Sequence, residues 1–592
     1  MGHLGVTRFF VEHGANVEAR DQDGRTPLHQ MGCLNVTRFL VEHGANAEAL
    51  DQRGWSPLHL ALQRGCLDIV QFFVEHGSNA DTQDQDGSTL LHLASQWGRL
   101  NAARFFVEHG ANTEAQDQHG STPLHLASEW GHLDVARFLV DHGANTEAQD
   151  QRGWTPLHLA SQTGHLGVAQ FFVEHGAKPE ALDQRGWTPL HLALQRGSLD
   201  IVQFFVEHGS NADTQDQDGS TLLHLASQRG RLNAARFFID HGANTEAQDQ
   251  HGWTPLHLAL EWGRLDVARF LVEHGANAEA QNQHGSTPLH LASEWGRLDV
   301  ARFLVEHGAN AEAQNQHGST PLHLASLNGR LDVARFFVEH GANTEAQNQH
   351  GSTPLHLASL NGRLDVARFF IEYGTNAEAQ DQDGSTPLHL ASESGHLDVA
   401  QFFVEHGANK EAQDQDGSTP LHLASLEGHL DIARFFVEHG ANAEAQDQDR
   451  WTPLHFASQW GRLDVTRFLV EHSPNTEAQD QYGSTPLHLA SESGHLNVAW
   501  FFVEHGANAE AQDQCGWTPL HLASLEGHLD VAQFLVEHGA NAEAQDQHGS
   551  TPLHLASQMG HLDVARFLHE LSASAAAHWR IDLSKHPSVI LI

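Results

Sequence analysis

The sequence predicts a mainly α-helical solenoid, built from stacked helix-turn-helix units that each end in a β-hairpin finger. The core TPLH, or a near copy of it, recurs 17 times in 592 residues, at Thr26, Ser56 and Thr89 and then at every 33rd residue to Thr551. Each copy is followed by apolar residues at helical spacing. Fixed self-similarity at this period is typical of a repeat array, whose units stack because none can bury its apolar face alone.

The repeat at Thr122 shows how the first helix is predicted. Thr122 precedes an apolar run and suits a helix N-cap, where its hydroxyl accepts from an early helix N–H. Pro123 fits the first helical position, since its missing N–H has no helical partner there. Gly131 is expected to end this helix.

The second helix and the finger follow from the next residues. The helix is expected to start near Leu133 and to end at Gly143, which suits the left-handed residue of a C-cap. Its expected buried residues are Val135, Ala136, Phe138, Leu139 and Val140. In residues 147–153, Asp and Gly favour a tight hairpin.

The pattern DxxGxTPLHLAxxxGxxxVxxxxxxxGA resembles the ankyrin repeat over roughly residues 1–571. The resemblance implies an L-shaped helix pair with a projecting β-hairpin finger. It also implies a curved array whose inner helices and fingers form a concave binding face. The TPLH histidine is implied to form hydrogen bonds within and between repeats.

Three parts are expected along the chain. Residues 1–25 hold the second helix and finger of a partial repeat, 26–571 hold the 17 tandem repeats with the first one shortened, and 572–592 form a non-repeat tail. The partial first unit is consistent with the tail of a longer protein or with a truncated gene model. The C-terminal tail is expected to cap the last repeat, although Ile590–Ile592 also suits addition to a sheet edge.

One repeat is expected to be a weak point. Arg450 replaces the finger glycine, and Ser473 and Pro474 replace the residues that end the second helix. A non-glycine residue at positive φ costs about 1–2 kcal/mol. The unit at Thr452 should therefore open before its neighbours.

Charge limits the classes of partner. The chain has 32 Lys and Arg against 75 Asp and Glu, a formal net charge of −43. Such a surface repels nucleic acid phosphates and attracts a basic protein. The acids occupy fixed framework positions, which favours simple solubility as their main role. We expect protein partners, basic ones among them, no nucleic acid, no membrane insertion and a monomer.

The cysteines and the N-terminus bear on location. Cys33, Cys66 and Cys515 have no metal-like or disulfide-like spacing, which is typical of a reducing compartment. The sequence shows no signal peptide and no apolar run near the roughly 18 residues that span a bilayer. We expect an intracellular protein, cytoplasmic by preference, with the nucleus also open.

The 50 histidines invite a metal or catalytic interpretation, but they fall into repeated columns. The main columns are represented by His125, His142, His132 and His119. Equivalent histidines of adjacent repeats lie about 10 Å apart, whereas zinc ligands lie about 2 Å from the metal, so one column cannot chelate. No HExxH, CxxC, P-loop, GxGxxG or GxSxG motif occurs. We predict no metal, no cofactor and no catalysis.

Differences between the copies gather at four positions per repeat, two in the finger and two at the end of the first helix. In the repeat at Thr122 these positions hold His119, Ser121, Glu129 and Trp130. We call these four positions, taken over all repeats, the variable surface. The ankyrin resemblance implies that they face the concave side, where changing residues on a fixed scaffold suit recognition.

Tryptophan marks this surface, since 11 of the 13 tryptophans lie on it. Six precede the TPLH core: Trp55, Trp154, Trp187, Trp253, Trp451 and Trp517. Five end the first helix: Trp97, Trp130, Trp262, Trp295 and Trp460. The other candidate binding residues are Glu129, Glu261, Glu294, Leu327, Asn328, Leu360 and Asn361. Tryptophan is a frequent binding anchor; finger tryptophans equally suit packing, so binding is favoured for the helix-end column.

The sequence therefore favours a non-catalytic scaffold that binds proteins on a concave face. Two alternatives stay open. The chain also fits the ligand-sensing C-terminal array of a larger nucleotide-driven sensor, which an upstream GxxxxGK[ST] motif would favour. It fits a ubiquitin-ligase substrate adaptor as well, weakly indicated by its only lysines, Lys178, Lys410 and Lys585.

Overall fold

The fold was analysed in a computed structural model, which describes residues 4–30, 32–79, 81–472 and 475–585. The contacts divide the chain into two compact units, Met1–Gln283 and His284–Ile592. In each unit, paired antiparallel helices alternate with short loops, and the first helices of successive repeats pack on each other.

The first unit contains the partial repeat and the repeats from Thr26 to Thr254. Its helices are α1 (Leu4–Glu12), a 3-10 helix (Pro27–Gln30), α2 (Leu34–Glu42), α3 (Pro57–Arg64), α4 (Leu67–Glu75), α5 (Leu90–Gln96), α6 (Leu100–Glu108), α7 (Pro123–Glu129), α8 (Leu133–Asp141), α9 (Pro156–Thr163), α10 (Leu166–Glu174), α11 (Pro189–Arg196), α12 (Leu199–Glu207), α13 (Leu222–Arg229), α14 (Leu232–Asp240), α15 (Pro255–Glu261) and α16 (Leu265–Glu273).

The second unit contains the repeats from Thr287 to Thr551. Its helices are α17 (Pro288–Glu294), α18 (Leu298–Glu306), α19 (Pro321–Leu327), α20 (Leu331–Glu339), α21 (Pro354–Leu360), α22 (Leu364–Tyr373), α23 (Pro387–Glu393), α24 (Leu397–Glu405), α25 (Pro420–Glu427), α26 (Leu430–Glu438), α27 (Pro453–Gln459), α28 (Leu463–His472), α29 (Pro486–Glu492), α30 (Leu496–Glu504), α31 (Pro519–Glu526), α32 (Leu529–Glu537), α33 (Pro552–Met559) and α34 (Leu562–Lys585).

The predicted helix pair is confirmed. In the repeat at Thr122, α7 starts at Pro123 and α8 starts at Leu133. Gly131 and Gly143 follow the two helices at φ 74° and 88°, the left-handed region that glycine adopts without strain. The sequence thus predicted where each helix ends because glycine alone reaches this backbone conformation cheaply.

The core lies between the helix pairs of neighbouring repeats. In α8, Val135, Ala136, Phe138 and Leu139 are buried, as predicted, whereas Val140 is only half-buried. Burying a side chain of this size stabilises the fold by about 1.5–3 kcal/mol. Because each repeat covers the apolar face of the next, the burial is repeated along each unit.

The fingers are tight loops, and the predicted β-hairpins do not appear. Within the described residues the only β pairing is two isolated bridges, Gln83 with Thr89 and Gln215 with Thr221. In the repeat at Thr122, the Asp117 carboxylate accepts from the amides of His119 and Ser121, each at 2.8 Å. Backbone bonds also hold the finger: the Asp117 amide donates to the Ser121 carbonyl, and the Gln118 backbone amide donates to the Asp86 carbonyl of the preceding finger, each at 3.0 Å.

Irregular repeats differ from the common pattern. In the shortened repeat, a 3-10 helix over Pro27–Gln30 takes the place of the first α-helix. At the other end, α34 continues past residue 571 to Lys585, so that much of the tail extends the last repeat helix. Ser473 and Pro474, and the apolar end Ile590–Ile592, lie outside the described residues.

The predicted strain at Arg450 is present. Its φ is 64°, and among the described residues it is the only non-glycine with a positive φ. In other repeats a glutamine amide donates to the preceding glutamine carbonyl, as Gln448 does to Gln415. At Arg450 the corresponding Gln481 amide donates instead to the Asp449 carboxylate, at 2.6 Å.

Candidate functional site

The TPLH histidines form the polar framework beneath the variable surface. His125 is buried, and its Nδ1 accepts from the Thr122 amide at 3.1 Å. Its Nε2 must then carry the proton, which it donates to the Trp154 carbonyl of the next repeat at 2.9 Å. Burial lowers the pKa of His125 below its usual range, against the raising effect of the Trp154 bond. These bonds confirm the implied role within and between repeats.

The same histidine forms a capping box with the predicted N-cap residue. The Thr122 hydroxyl faces the backbone amide of His125, as predicted, and it also lies 2.8 Å from His125 Nδ1. Because Nδ1 also accepts from the Thr122 amide, the hydroxyl donates to it. The imidazole therefore satisfies the amide before the helix, and the threonine supports the imidazole.

The other histidine columns also serve the backbone. His142 Nδ1 donates to the Phe138 carbonyl one turn earlier at 2.8 Å. His132 Nε2 donates at 3.0 Å to the carbonyl of Gln96, at the end of the preceding first helix. In the described part of the chain, no group of three or more His, Cys, Asp or Glu side chains is placed to hold a metal ion.

Four of the five helix-end tryptophans are among the most exposed large side chains of the variable surface. Their exposed fractions are 53% for Trp130, 51% for Trp262, 47% for Trp295 and 56% for Trp460. Trp97 is half-buried because it packs edge-to-face on the finger residue Trp55, with ring centroids 5.8 Å apart. The helix-end and finger columns therefore meet across the boundary between repeats.

The finger tryptophans have structural contacts of their own. All six are half-buried. Trp154 Nε1 donates to the buried Asp183 carboxylate of the next repeat at 2.9 Å. Trp187 stacks on His191, with ring centroids 6.0 Å apart and planes 23° apart. Packing thus accounts for part of the burial of the finger tryptophans.

The remaining predicted residues line the ends of the first helices. Leu360 is exposed, and the others are half-buried: Glu129, Glu261, Glu294, Leu327, Asn328 and Asn361. The Asn328 amide donates to the Leu324 carbonyl at 3.0 Å, and the Asn361 amide to the Leu327 carbonyl at 3.2 Å. These amides close helix ends, so their nitrogen atoms already have partners.

A cavity shows how two repeats share the variable surface. It has a volume of about 430 Å³ and lies between the repeats at Thr155 and Thr188. Its lining includes Arg152, Trp154 and Gln162 from one repeat and Arg185, Trp187 and Gln195 from the next. All six occupy variable positions. The arginines and glutamines were missed in the sequence, although an arginine stands where most repeats have Asp or His.

A second part of the variable surface is crowded with carboxylates. We call it the acidic region and define it by Asp383, Glu393, Asp416, Glu427 and Asp449, all of them exposed. Partial burial raises the pKa of Glu393, and the nearby Glu427 charge raises it further. Burial, with the charge of Asp449 adding to it, raises the pKa of Asp447 to about 6 against its backbone hydrogen bonds. Glu427 also lies 3.6 Å from Arg462.

Stacked helix pairs that repeat every 33 residues define a helical solenoid protein. A family model described as ankyrin repeats in three copies matches residues 1–84, 76–150, 142–216, 197–282, 307–381, 355–447, 421–513 and 506–577. One described as ankyrin repeats in many copies matches residues 271–325. The chain belongs to the ankyrin repeat family. A search of curated proteins found no match.

Ankyrin repeats generally serve as protein-interaction modules, and arrays of them are typically non-catalytic. Among the described residues, every helix is either too short or too polar to cross a bilayer.

Proposed function

We propose that the chain is a non-catalytic scaffold that binds partner proteins through its variable surface, on the concave face of an ankyrin array. The exposure of the helix-end tryptophans carries this proposal. About half of the surface of Trp130, Trp262, Trp295 and Trp460 is exposed, on a framework that otherwise hardly changes between repeats. A tryptophan buries a large area on binding at a small loss of rotamer freedom, so such residues suit binding anchors.

The acidic region supports a basic partner for that part of the array. The Glu427 charge helps to raise the pKa of Glu393, and the Asp449 charge helps to raise that of Asp447, so a cation placed among them relieves repulsion as well as forming ion pairs. The chain acts as a monomer and uses no cofactor in this proposal. Its unpaired thiols at Cys33, Cys66 and Cys515 suit an intracellular, cytoplasmic location.

The test compares proteins captured by four single variants with those captured by the unchanged chain. The variants are Trp130→Ala, Trp262→Ala, Trp295→Ala and Trp460→Ala. Truncating a binding anchor costs about 2 kcal/mol or more, a loss of about 30-fold in affinity. Quantitative mass spectrometry should therefore show at least one partner lost from one or more of the variants.

Trp500 supplies a matched control. It is 45% exposed, like the anchors, but it belongs to α30, a second helix. Trp500→Ala should capture the same proteins as the unchanged chain. Equal recovery of every protein by all four anchor variants would refute the proposed surface, and so would a loss confined to Trp500→Ala. Far-ultraviolet circular dichroism should show unchanged helix content throughout.

A further inference from the structure

Arginine is concentrated on one part of the variable surface. We define the arginine cleft by Arg152, Trp154, Gln162, Arg185, Trp187, Gln195 and Arg196. The first six line the cavity of about 430 Å³ described above. Arg196 lines an adjoining cavity of about 370 Å³ that shares Gln162 and Gln195. Three guanidinium groups thus border two adjoining cavities in a chain whose net charge is −43.

These guanidinium groups keep their charge available to a ligand. Arg152, Arg185 and Arg196 are exposed, and within the described residues none has a carboxylate at ion-pair distance. Glu129 is an acid near the cleft: burial raises its pKa and the charge of Arg152 lowers it. The local charge of the cleft is therefore positive.

The acidic residue in the cavity lining, Asp183, already accepts hydrogen bonds from three protein groups. The buried Asp183 accepts from the Arg185 and Trp187 amides, each at 2.8 Å, and from Trp154 Nε1 at 2.9 Å. With these three bonds it orients the finger and the indole of the preceding repeat. Among the described residues it forms no ion pair with the guanidinium groups of the cleft.

The indole rings beside the arginines add an apolar surface to the positively charged one. The Arg152 guanidinium carbon lies 5.0 Å from the centroid of the Trp154 ring, a cation–π contact that holds the guanidinium at the cleft. Trp187 stands beside Arg185 in the same lining. A planar guanidinium next to a half-exposed indole suits a ligand that presents a carboxylate next to an aromatic or aliphatic group.

We propose that the arginine cleft binds an acidic, extended segment of a partner protein, with carboxylates three residues apart and apolar side chains between them. Packed repeats place equivalent residues about 10 Å apart, so Arg152 and Arg185 are separated by about that distance. A chain extended in the polyproline II conformation advances about 3.1 Å per residue and repeats every three residues, so carboxylates three residues apart lie on one face at about this spacing. The inference rests on the proposed function but assigns a partner of opposite charge to a different part of the array.

The test uses the full chain and a fluorescein-labelled peptide with glutamate at every third position and phenylalanine and glycine between. Fluorescence anisotropy should show saturable binding that weakens as salt is raised. Arg185→Gln and Arg196→Gln should each lower the affinity about tenfold, the value of one hydrogen bond to a charged group. Arg185→Lys should recover only part of the loss, since an ammonium lacks the bidentate fork.

Arg53 provides a control with nearly the same local sequence. Residues 51–118 and 183–250 are almost identical, but the finger before Arg53 carries Asp23 where the arginine cleft has Arg152. Arg53→Gln removes the same charge and should leave peptide affinity unchanged. Because all the substituted residues are exposed, melting temperatures should stay within error of the unchanged chain.

Several outcomes would overturn the proposal. One is unchanged affinity in Arg185→Gln and Arg196→Gln; another is an equal loss in Arg53→Gln, which would show a response to total charge alone. Equal binding of a peptide of the same composition with adjacent glutamates would refute the spacing. Tighter binding of a single-stranded oligonucleotide, lost in Arg185→Gln, would assign the cleft to nucleic acid. Because the probe is a defined peptide, the result stands independently of the tryptophan anchors.

Discussion

The arginine cleft and the acidic region are built on the same backbone and carry opposite charge. In the cleft, Asp183 accepts from the amides of Arg185 and Trp187 at 2.8 Å. In the acidic region, Asp414 makes the same turn with the amides of Asp416 and Ser418, at 3.0 and 2.8 Å. The framework positions thus fix the loop, and the variable positions change the charge without changing the loop. One chain therefore presents surfaces of different charge on the same repeat framework.

The largest effect that we expect is on the response of the two regions to acid, because both should lose folding stability as the pH falls. Burial lowers the pKa of the TPLH histidines in both regions, to about 4 for His191 and for His422. Their unfolded pKa is about 6.5, so the unfolded chain binds more protons below that pH. Stability is fully present above pH 6.5 and is lost toward pH 4, by about 1 kcal/mol per histidine at pH 5.5.

The acidic region should lose less of its stability than the arginine cleft. The pKa of Asp447 is raised to about 6, so its ionisation disfavours the fold at neutral pH and its protonation below about pH 6 restores stability. Since Asp447 is half-buried, this offset is about 0.5 kcal/mol. Hydrogen exchange, corrected for intrinsic rates, should show protection falling from about pH 7.5 to 5.5 in both regions.

Asp447→Asn is the control for this comparison. It removes the carboxylate at every pH, so the acidic region should then lose as much protection as residues 155–196. A rise in protection on acidification of the cleft repeats would show that histidine burial does not govern the acid response. Equal losses in the unchanged chain would contradict the carboxylate offset.

A charge-reversed peptide should reverse the preference between the two regions. We expect a peptide with lysine in place of glutamate to bind the acidic region, because its carboxylates are crowded and exposed. The paired change Asp416→Asn with Glu427→Gln should lower its affinity about tenfold. Arg185→Gln should leave this affinity unchanged. Equal losses in both variants would mean that the regions do not discriminate by charge.

Relief of backbone strain should stabilise the border of the acidic region. Arg450→Gly removes a non-glycine residue at φ 64° and should increase local stability by about 1–2 kcal/mol. Native-state hydrogen exchange around Thr452 should slow accordingly. The reciprocal change Gly417→Arg should destabilise its repeat, since a Cβ there would lie 2.8 Å from the backbone nitrogen of Gln448. Uniform protection from Thr386 to Thr551 in the unchanged chain would contradict a weak point.

The smallest expected effect concerns the indole that orders the arginine cleft. Trp154→Phe removes the bond from Nε1 to Asp183 and keeps most of the ring, so it should cost about 1 kcal/mol of local stability. Trp187→Phe changes the same residue type in the next finger without removing such a bond to Asp183. Chemical denaturation should show the larger shift for Trp154→Phe; identical midpoints would argue that the bond adds no stability.

Some of the contacts between repeats carry no local sequence signal. His191 is fully buried, and within the described structure its Nε2 has no protein hydrogen-bond partner. It precedes the repeat at Thr221, where leucine replaces the usual proline and an isolated bridge forms between Gln215 and Thr221. The TLLH variant was visible in the sequence, but its consequence for the preceding histidine depends on how two repeats stack.

The sequence by itself determined the repeat, its helix pair and the residues that vary. Glycine at positive φ and proline at the first helical turn act locally, so Gly131, Gly143 and Pro123 were sufficient to place the helices of one unit. The same local rules predicted β-hairpins, which are not shown among the described residues, where the Asp117 carboxylate accepts from two amides of its own loop.

Only the tertiary structure decided which side chains meet. Arg137 stacks 5.2 Å from the ring centroid of Phe171 in the next repeat, and Trp154 reaches Asp183. Arg152 and Arg185, 33 positions apart in the chain, line one cavity. Local propensity fixes the conformation of one repeat, whereas these distances depend on the rise and rotation between repeats. Those quantities follow from packing across the whole repeat interface, which no single stretch of sequence specifies.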